Sequence, residues 1–124
     1  MKKTESLKNT RQFSQVYKNG ISHADKNLVL IVLDNKTDCN RLGISVSKKV
    51  GNSVVRHHLS RLIRESYRLH ENMFNSGLDI VVVVRKGAGD INYHQIEDSL
   101  IHLAKVHHIY MEEIDDEKNN NSDD

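Results

Sequence analysis

The sequence predicts a small α/β (α+β) fold. It is a two-layer sandwich in which three helices pack on a mixed sheet of about four strands, in the order α-β-β-β-α-β-α. Three observations carry this. Leu78 to Val84 (LDIVVVV) is nearly continuous in apolar residues, the mark of a strand buried on both faces. Arg41 to Ser47 alternates, with Leu42, Ile44 and Val46 on one side and Gly43, Ser45 and Ser47 on the other, the mark of a half-buried strand. Between them, residues 53–70 repeat their apolar positions at helical spacing. Strand, helix and strand in succession imply a crossover between parallel strands.

The other elements follow in chain order. Residues 1–9 are polar and are expected to fray. Thr10 can cap a short helix with Phe13, Val16 and Tyr17 on one face and Gly20 as its stop. Residues 21–26 are ambiguous and can form a short strand, and Asn27 to Leu33 is a strand rich in Leu, Val and Ile. The segment DNKTDCN (34–40) is dense in turn residues. Lys48 to Asn52 is a basic turn whose Gly51 permits a left-handed backbone. RKGAGDIN (85–92) is a loop, without the P-loop pattern. Tyr93 to Met111 is a second long helix, with Ile96, Leu100, Leu103 and His107 on one face. Residues 112–124 (EEIDDEKNNNSDD) are acidic and low in complexity, and a disordered tail is expected.

With 124 residues, the chain buries roughly two-thirds of its unfolded surface, so a single domain over residues 1–111 needs no disulfide or metal staple. The lone Cys39 cannot form an internal bridge, and no paired Cys/His motif points to zinc. Apolar runs fall far short of the roughly 18 residues of a membrane span, and no secretory signal is evident. A cytoplasmic location without membrane contact is expected.

The net charge of +1 hides an asymmetry: residues 1–86 carry +9 and residues 87–124 carry −8. Residues 41–68 hold seven Lys/Arg (Arg41, Lys48, Lys49, Arg56, Arg61, Arg64 and Arg68) against Glu65 alone. On a wheel of about 100° per residue, Arg61, Arg64 and Arg68 fall within about 140° of Arg56, with His57 and Ser60 inside that sector. Val55, Leu59, Leu62, Ile63 and Ser66 lie opposite. A merely solvated face mixes signs, because like charges at this spacing repel by a few tenths of a kcal/mol per pair. The pattern fits a polyanion site. The turn at Lys48 and Lys49, with Asn52 or Ser53 as cap, adds a helix N-terminus suited to phosphate.

The run RLGISVSKKVGNSVVRHHLSRLIRESYR (41–68) resembles the protein subunit of bacterial ribonuclease P. The likeness extends to FSQVYKNG (13–20) and VVVVRKGA (81–88), and covers roughly residues 7–108. It implies a sandwich with a left-handed crossover, against the right-handed default. It implies a small RNA-binding subunit that assists a catalytic RNA in removing the 5′ leader of precursor tRNA. The protein then has no catalytic residues and binds no cofactor or metal of its own, magnesium serves the RNA-based reaction, and one protein sits on each ribonuclease P RNA.

Residue by residue, the resemblance assigns Lys48, Lys49, Asn52, Arg56, His57, His58, Arg61, Arg64 and Arg68 to the RNA subunit. It assigns Phe13, Tyr17, Ile31, Ser60 and Arg64 to a cleft for the leader, although spacing alone would place Phe13 and Tyr17 in the core. Three departures stand out. The family's Arg-Asn-Arg reads Arg56-His57-His58, a usual basic position is Ser60, and a frequent cleft aromatic is Ile31.

Two other functions compete: a generic RNA-binding module, and a stand-alone ribonuclease using His57 or His58 as acid and base. Adjacent histidines project about 100° apart on a helix, and no second acid–base partner is evident in the sequence.

Overall fold

In the computed structural model, which describes residues 4–111, the apolar run becomes strand β5, Leu78–Val84. Ile80, Val81 and Val82 on it are wholly buried, each worth about 1.5–3 kcal/mol relative to exposure. The preceding elements are β1 (Thr4–Ser6), α1 (Thr10–Asn19), β2 (Ile21–Ala24), β3 (Leu28–Asp34), β4 (Asn40–Ser45) and α2 (Ser53–His70). A 3-10 turn, Glu71–Met73, joins α2 to β5, and α3 (Tyr93–Val106) follows. The sheet order is β1-β4-β5-β3-β2. β4 runs parallel to both β1 and β5, whereas β3 is antiparallel to β5 and β2.

The sheet thus has five strands, not about four. Thr4–Ser6 is the added one, within the stretch expected to fray. Backbone pairing with β4 and side-chain bonds hold it: Thr4 Oγ1 lies 2.8 Å from the Tyr67 hydroxyl and also donates to Glu71. Leu7 then enters a small core cluster with Val16, Ile31 and Val81. Other corrections are local. Asn9 rather than Thr10 caps α1, accepting from Gln12 N–H. Gly51 does not take a positive φ, which among the described glycines only Gly77 and Gly87 do. Instead, a Cβ on Gly51 would sit 2.8 Å from the Val55 side chain. The last helix stops at Val106, and His108 turns at φ 61°. The segment expected as a tail, 112–124, lies outside the described residues.

Leu42, Ile80 and Val82 face the main core under α2 and α3. Phe13, Val29, Ile31, Val81 and Val83 share the opposite face, partly covered by α1. The handedness of the crossover follows from these facts. On a strand running upward, an L-residue pointing its side chain at the viewer turns its carbonyl to the right. Viewed from the α2 side, Leu42 does this, and its carbonyl accepts from Leu7 N–H, beyond β1, at 2.9 Å. So β1 lies to the right of β4 and β5 to the left, with α2 in front. The β4-α2-β5 crossover is left-handed, against the general rule.

Arg41 is taken out of the basic run by a two-pronged pair with the buried Asp79 carboxylate, both contacts at 2.7 Å. Asn40, also buried, donates to the Asn75 carbonyl and accepts from Leu78 N–H.

His107, expected on the apolar face of the last helix, is its C-cap residue. Its Nε2–H donates to the Leu30 carbonyl at 2.8 Å, and its ring meets His23 edge-on at 4.5 Å. Burial holds this imidazole below the usual histidine range, and a charge on His23 would push it further down, against the carbonyl bond. The unfolded chain therefore binds more protons near and below about pH 6.5. The stability that neutral His107 contributes is present above that pH and is lost as pH falls through the lowered value. Thermal unfolding of His107→Gln should accordingly lose less Tm between pH 7.5 and 5.5 than the parent protein, about the ordinary histidine titration. Parallel losses would refute the role.

Candidate nucleic-acid interface

Helix α2 presents two unlike faces. Leu59, Ile63, Ser66 and Tyr67 are buried. His57, His58, Arg61, Arg64 and Arg68 are exposed, with Arg56 and Ser60 half-exposed. Asn52 starts the helix, its side-chain oxygen accepting from Val55 N–H at 3.0 Å. Just upstream, Lys48 and Lys49 project from a turn closed by the Val50 N–H to Ser47 carbonyl bond.

Among the described residues, Arg56, Arg61 and Arg64 have no acidic partner, and Arg68 pairs with Glu65 at 2.8 Å. That pair is exposed on both sides, so it is screened and easily exchanged for another anion. Two shallow hollows run along the face. His58, Arg61, Arg64, Arg68 and the acidic Glu65 line one of about 410 Å³, and Ser53, His57, His58 and Arg61 line one of about 500 Å³. His58 and Arg61 belong to both. The guanidinium groups of Arg61 and Arg64, without an acidic partner among the described residues and set around open concavities, are suited to phosphates, which such groups grip in two-pronged fashion.

A second surface lies on the opposite sheet face. Phe13 and Tyr17 stand one turn apart on α1, with ring centroids 6.4 Å apart. Tyr17 is 47% exposed. The Phe13 ring lies against Gly43 so closely that a Cβ there would come within 2.6 Å of it. The two aromatics, Lys8, Asn9, Thr10 and Ser45 line a hollow of about 510 Å³. Ile31 is buried beneath, in the cluster against which Phe13 packs. Ser60 and Arg64 do not join this hollow, because α2 covers the other face. Arg64 lines a smaller one of about 200 Å³ at the β1 edge, with Thr4, Glu5, Ser6 and Tyr67 among its walls. Among the described residues, no cluster of three or more His, Cys, Asp or Glu is arranged to hold a metal ion, and no helix is long and apolar enough to cross a membrane.

The family model for ribonuclease P matches residues 1–108. The chain belongs to the ribonuclease P protein family. A ribonuclease P protein component from Lachnoclostridium phytofermentans is 63% identical over 106 residues, covering 86% of this chain and 91% of the relative. One from Clostridium botulinum is 44% identical over 110 residues, covering 87% and 98%. Among solved structures, the Staphylococcus aureus RNase P protein matches with a TM-score of 0.80 and 38% identity, covering 87% of this chain and 99% of that one. The Thermotoga maritima protein gives 0.75 and 31%, covering 82% and 96%.

The hollow under α1 also takes in residues to which no sequence pattern points. Lys8, Asn9 and Thr10 stand on its rim because β1 and Leu7 anchor the segment before α1. The polar residues of that segment carry no periodicity from which this is legible. Ser45 was within reach, since the alternation of 41–47 already turns it away from the core.

Proposed function

We propose that this chain is the protein partner of ribonuclease P RNA, acting in the cytoplasm with one copy per RNA, and that it helps remove the 5′ leader of precursor tRNA. The observation that supports this best is the pairing of two different surfaces across one sheet: an arginine face on α2 and an aromatic hollow under α1. The first suits a folded RNA backbone. Lys48, Lys49, Asn52, Arg56, His57, His58, Arg61, Arg64 and Arg68 would offset its phosphate repulsion, with charge-assisted bonds where the arginines meet phosphate. The second suits a single strand, whose unstacked bases can lie on Tyr17 and Phe13 while Lys8 meets the backbone. Catalysis and its magnesium belong to the RNA in this reading. The protein positions the substrate and carries no acid or base for the reaction.

The decisive assay is cleavage of a leader-bearing precursor tRNA at low magnesium, by protein alone, RNA alone and both. Cleavage at the mature 5′ end by the pair, well beyond RNA alone, is expected. Cleavage by protein alone would overturn the reading and return attention to His57 and His58. The two surfaces also separate by mutation. Tyr17→Ala should weaken binding of leader-bearing substrate to the assembled complex by about tenfold, the worth of one stacked base. It should leave affinity for the RNA subunit and for leaderless tRNA unchanged. Equal weakening of all three ligands would refute the separate cleft.

A further inference from the structure

The arginine face of α2 runs into a hollow of a different chemical character. It holds about 200 Å³ at the β1 edge, between strand and helix. Leu42 and Tyr67, both buried, close it on the inner side. Arg64 and Arg68 line it and also line the 410 Å³ hollow of the arginine face. The same two guanidinium groups therefore join this hollow to the surface already described.

Strand β1 supplies the outer wall. Successive residues of a strand turn their side chains to opposite faces and their backbone groups to opposite edges. Leu7 N–H points to β4, where the Leu42 carbonyl accepts it. The N–H and C=O of Ser6 therefore point away from β4, along an edge with which no strand pairs among the described residues. Thr4 turns its hydroxyl to Tyr67 under α2, and Glu5 lies on the other face beside Arg41. Ser6 returns to the α2 side, and its hydroxyl stands at the hollow.

These walls suit an uncharged planar group better than a phosphate. Glu71, which accepts from the Thr4 hydroxyl, puts a carboxylate into the hollow and would repel an anion there. A nucleobase meets no such penalty. Its face can lie on a guanidinium plane and its apolar body on Leu42 and Tyr67. Its polar edge can meet the hydroxyl, N–H and C=O of Ser6, which offer donors and an acceptor side by side.

We propose that the β1-edge hollow takes one unpaired nucleobase of the RNA bound along α2. This rests on reading the arginine face as the RNA-binding surface, and it adds a contact with a base to contacts that otherwise meet phosphate. Phosphate contacts position an RNA without selecting it. A folded RNA that displays an unpaired base beside its docked backbone gains affinity here that a plain duplex does not, so the hollow selects among RNAs that the arginines hold alike.

Two variants of the full chain test this. Ser6 is exposed, so Ser6→Phe fills the hollow with a side chain that suits a strand. Arg64→Lys with Arg68→Lys keeps both charges and removes both planes. The probes are ribonuclease P RNA and a fully paired RNA duplex. Each variant should bind ribonuclease P RNA about tenfold more weakly, the worth of one stacked base. The slope of log affinity against log salt should not change, because no phosphate contact is lost, and the duplex should bind as it does to the parent. One unpaired base of ribonuclease P RNA should be shielded from base-modifying reagents by the parent protein and open again with either variant. Parent-like affinity and shielding in both variants overturn this inference and leave the arginine face standing. Weaker binding with a shallower salt slope and no base released would place a phosphate in the hollow, and overturns it too. If the parent protein does not bind ribonuclease P RNA, the reading of the arginine face falls, and the inference with it.

Discussion

Replacing Arg56, Arg61 and Arg64 together with alanine should weaken binding of ribonuclease P RNA by about a thousandfold at low salt, roughly tenfold for each charge-assisted phosphate contact. The slope of log affinity against log salt should also become shallower by about 3, close to one released counterion per lost contact. Stability should not suffer. These side chains are exposed or half-exposed and lack acidic partners among the described residues. Arg61 and Arg64 are three apart, and Arg64 and Arg68 four apart, so their removal relieves like-charge repulsion of a few tenths of a kcal/mol per pair. Alanine also favours the helix. An unchanged or slightly raised Tm beside a collapsed affinity would therefore mark a surface kept for its ligand. An unchanged salt slope would show that these arginines do not meet phosphate.

What could be read from the sequence divides by the range of the signal. α2 and β5 were legible to the residue because their apolar patterns lie within the segment itself. β1 was not, since Thr4–Ser6 has no strand pattern and owes its place to the β4 edge and to Tyr67, residues far along the chain. The left-handed crossover was outside the reach of periodicity. It depends on which edge of β4 is free for β5, and β1 occupies the right-hand one. Only the family resemblance anticipated it. The arginine face was legible as charge without countercharge, yet Arg41 was miscounted with it, because its partner Asp79 lies 38 residues on, in a strand that otherwise reads as apolar. Under α1, Phe13 and Tyr17 line one open hollow. The spacing argument for the core fits Phe13 in part, as it packs on the Ile31 cluster, and fails for Tyr17, which is largely open. The charge asymmetry was plain from the start.

Phe74→Ala should cost about 3–5 kcal/mol of folding stability, the range for removing a fully buried ring. Phe74 has no exposed surface. Its ring centroid lies 4.9 Å from that of Tyr67 and 5.5 Å from that of Tyr110, and tilted aromatic contacts of this kind add to burial alone. Small domains hold only about 5–15 kcal/mol in total, so this single truncation removes a large share. Urea unfolding should show a lower midpoint with an unchanged m-value. A loss below about 1 kcal/mol would mean that Tyr67 and Tyr110 collapse into the space, since the cavity term depends on how far a site can close. Because Phe74 is wholly buried while Arg61, Arg64 and Arg68 are exposed, the variant at low temperature, where it remains folded, should keep its affinity for ribonuclease P RNA.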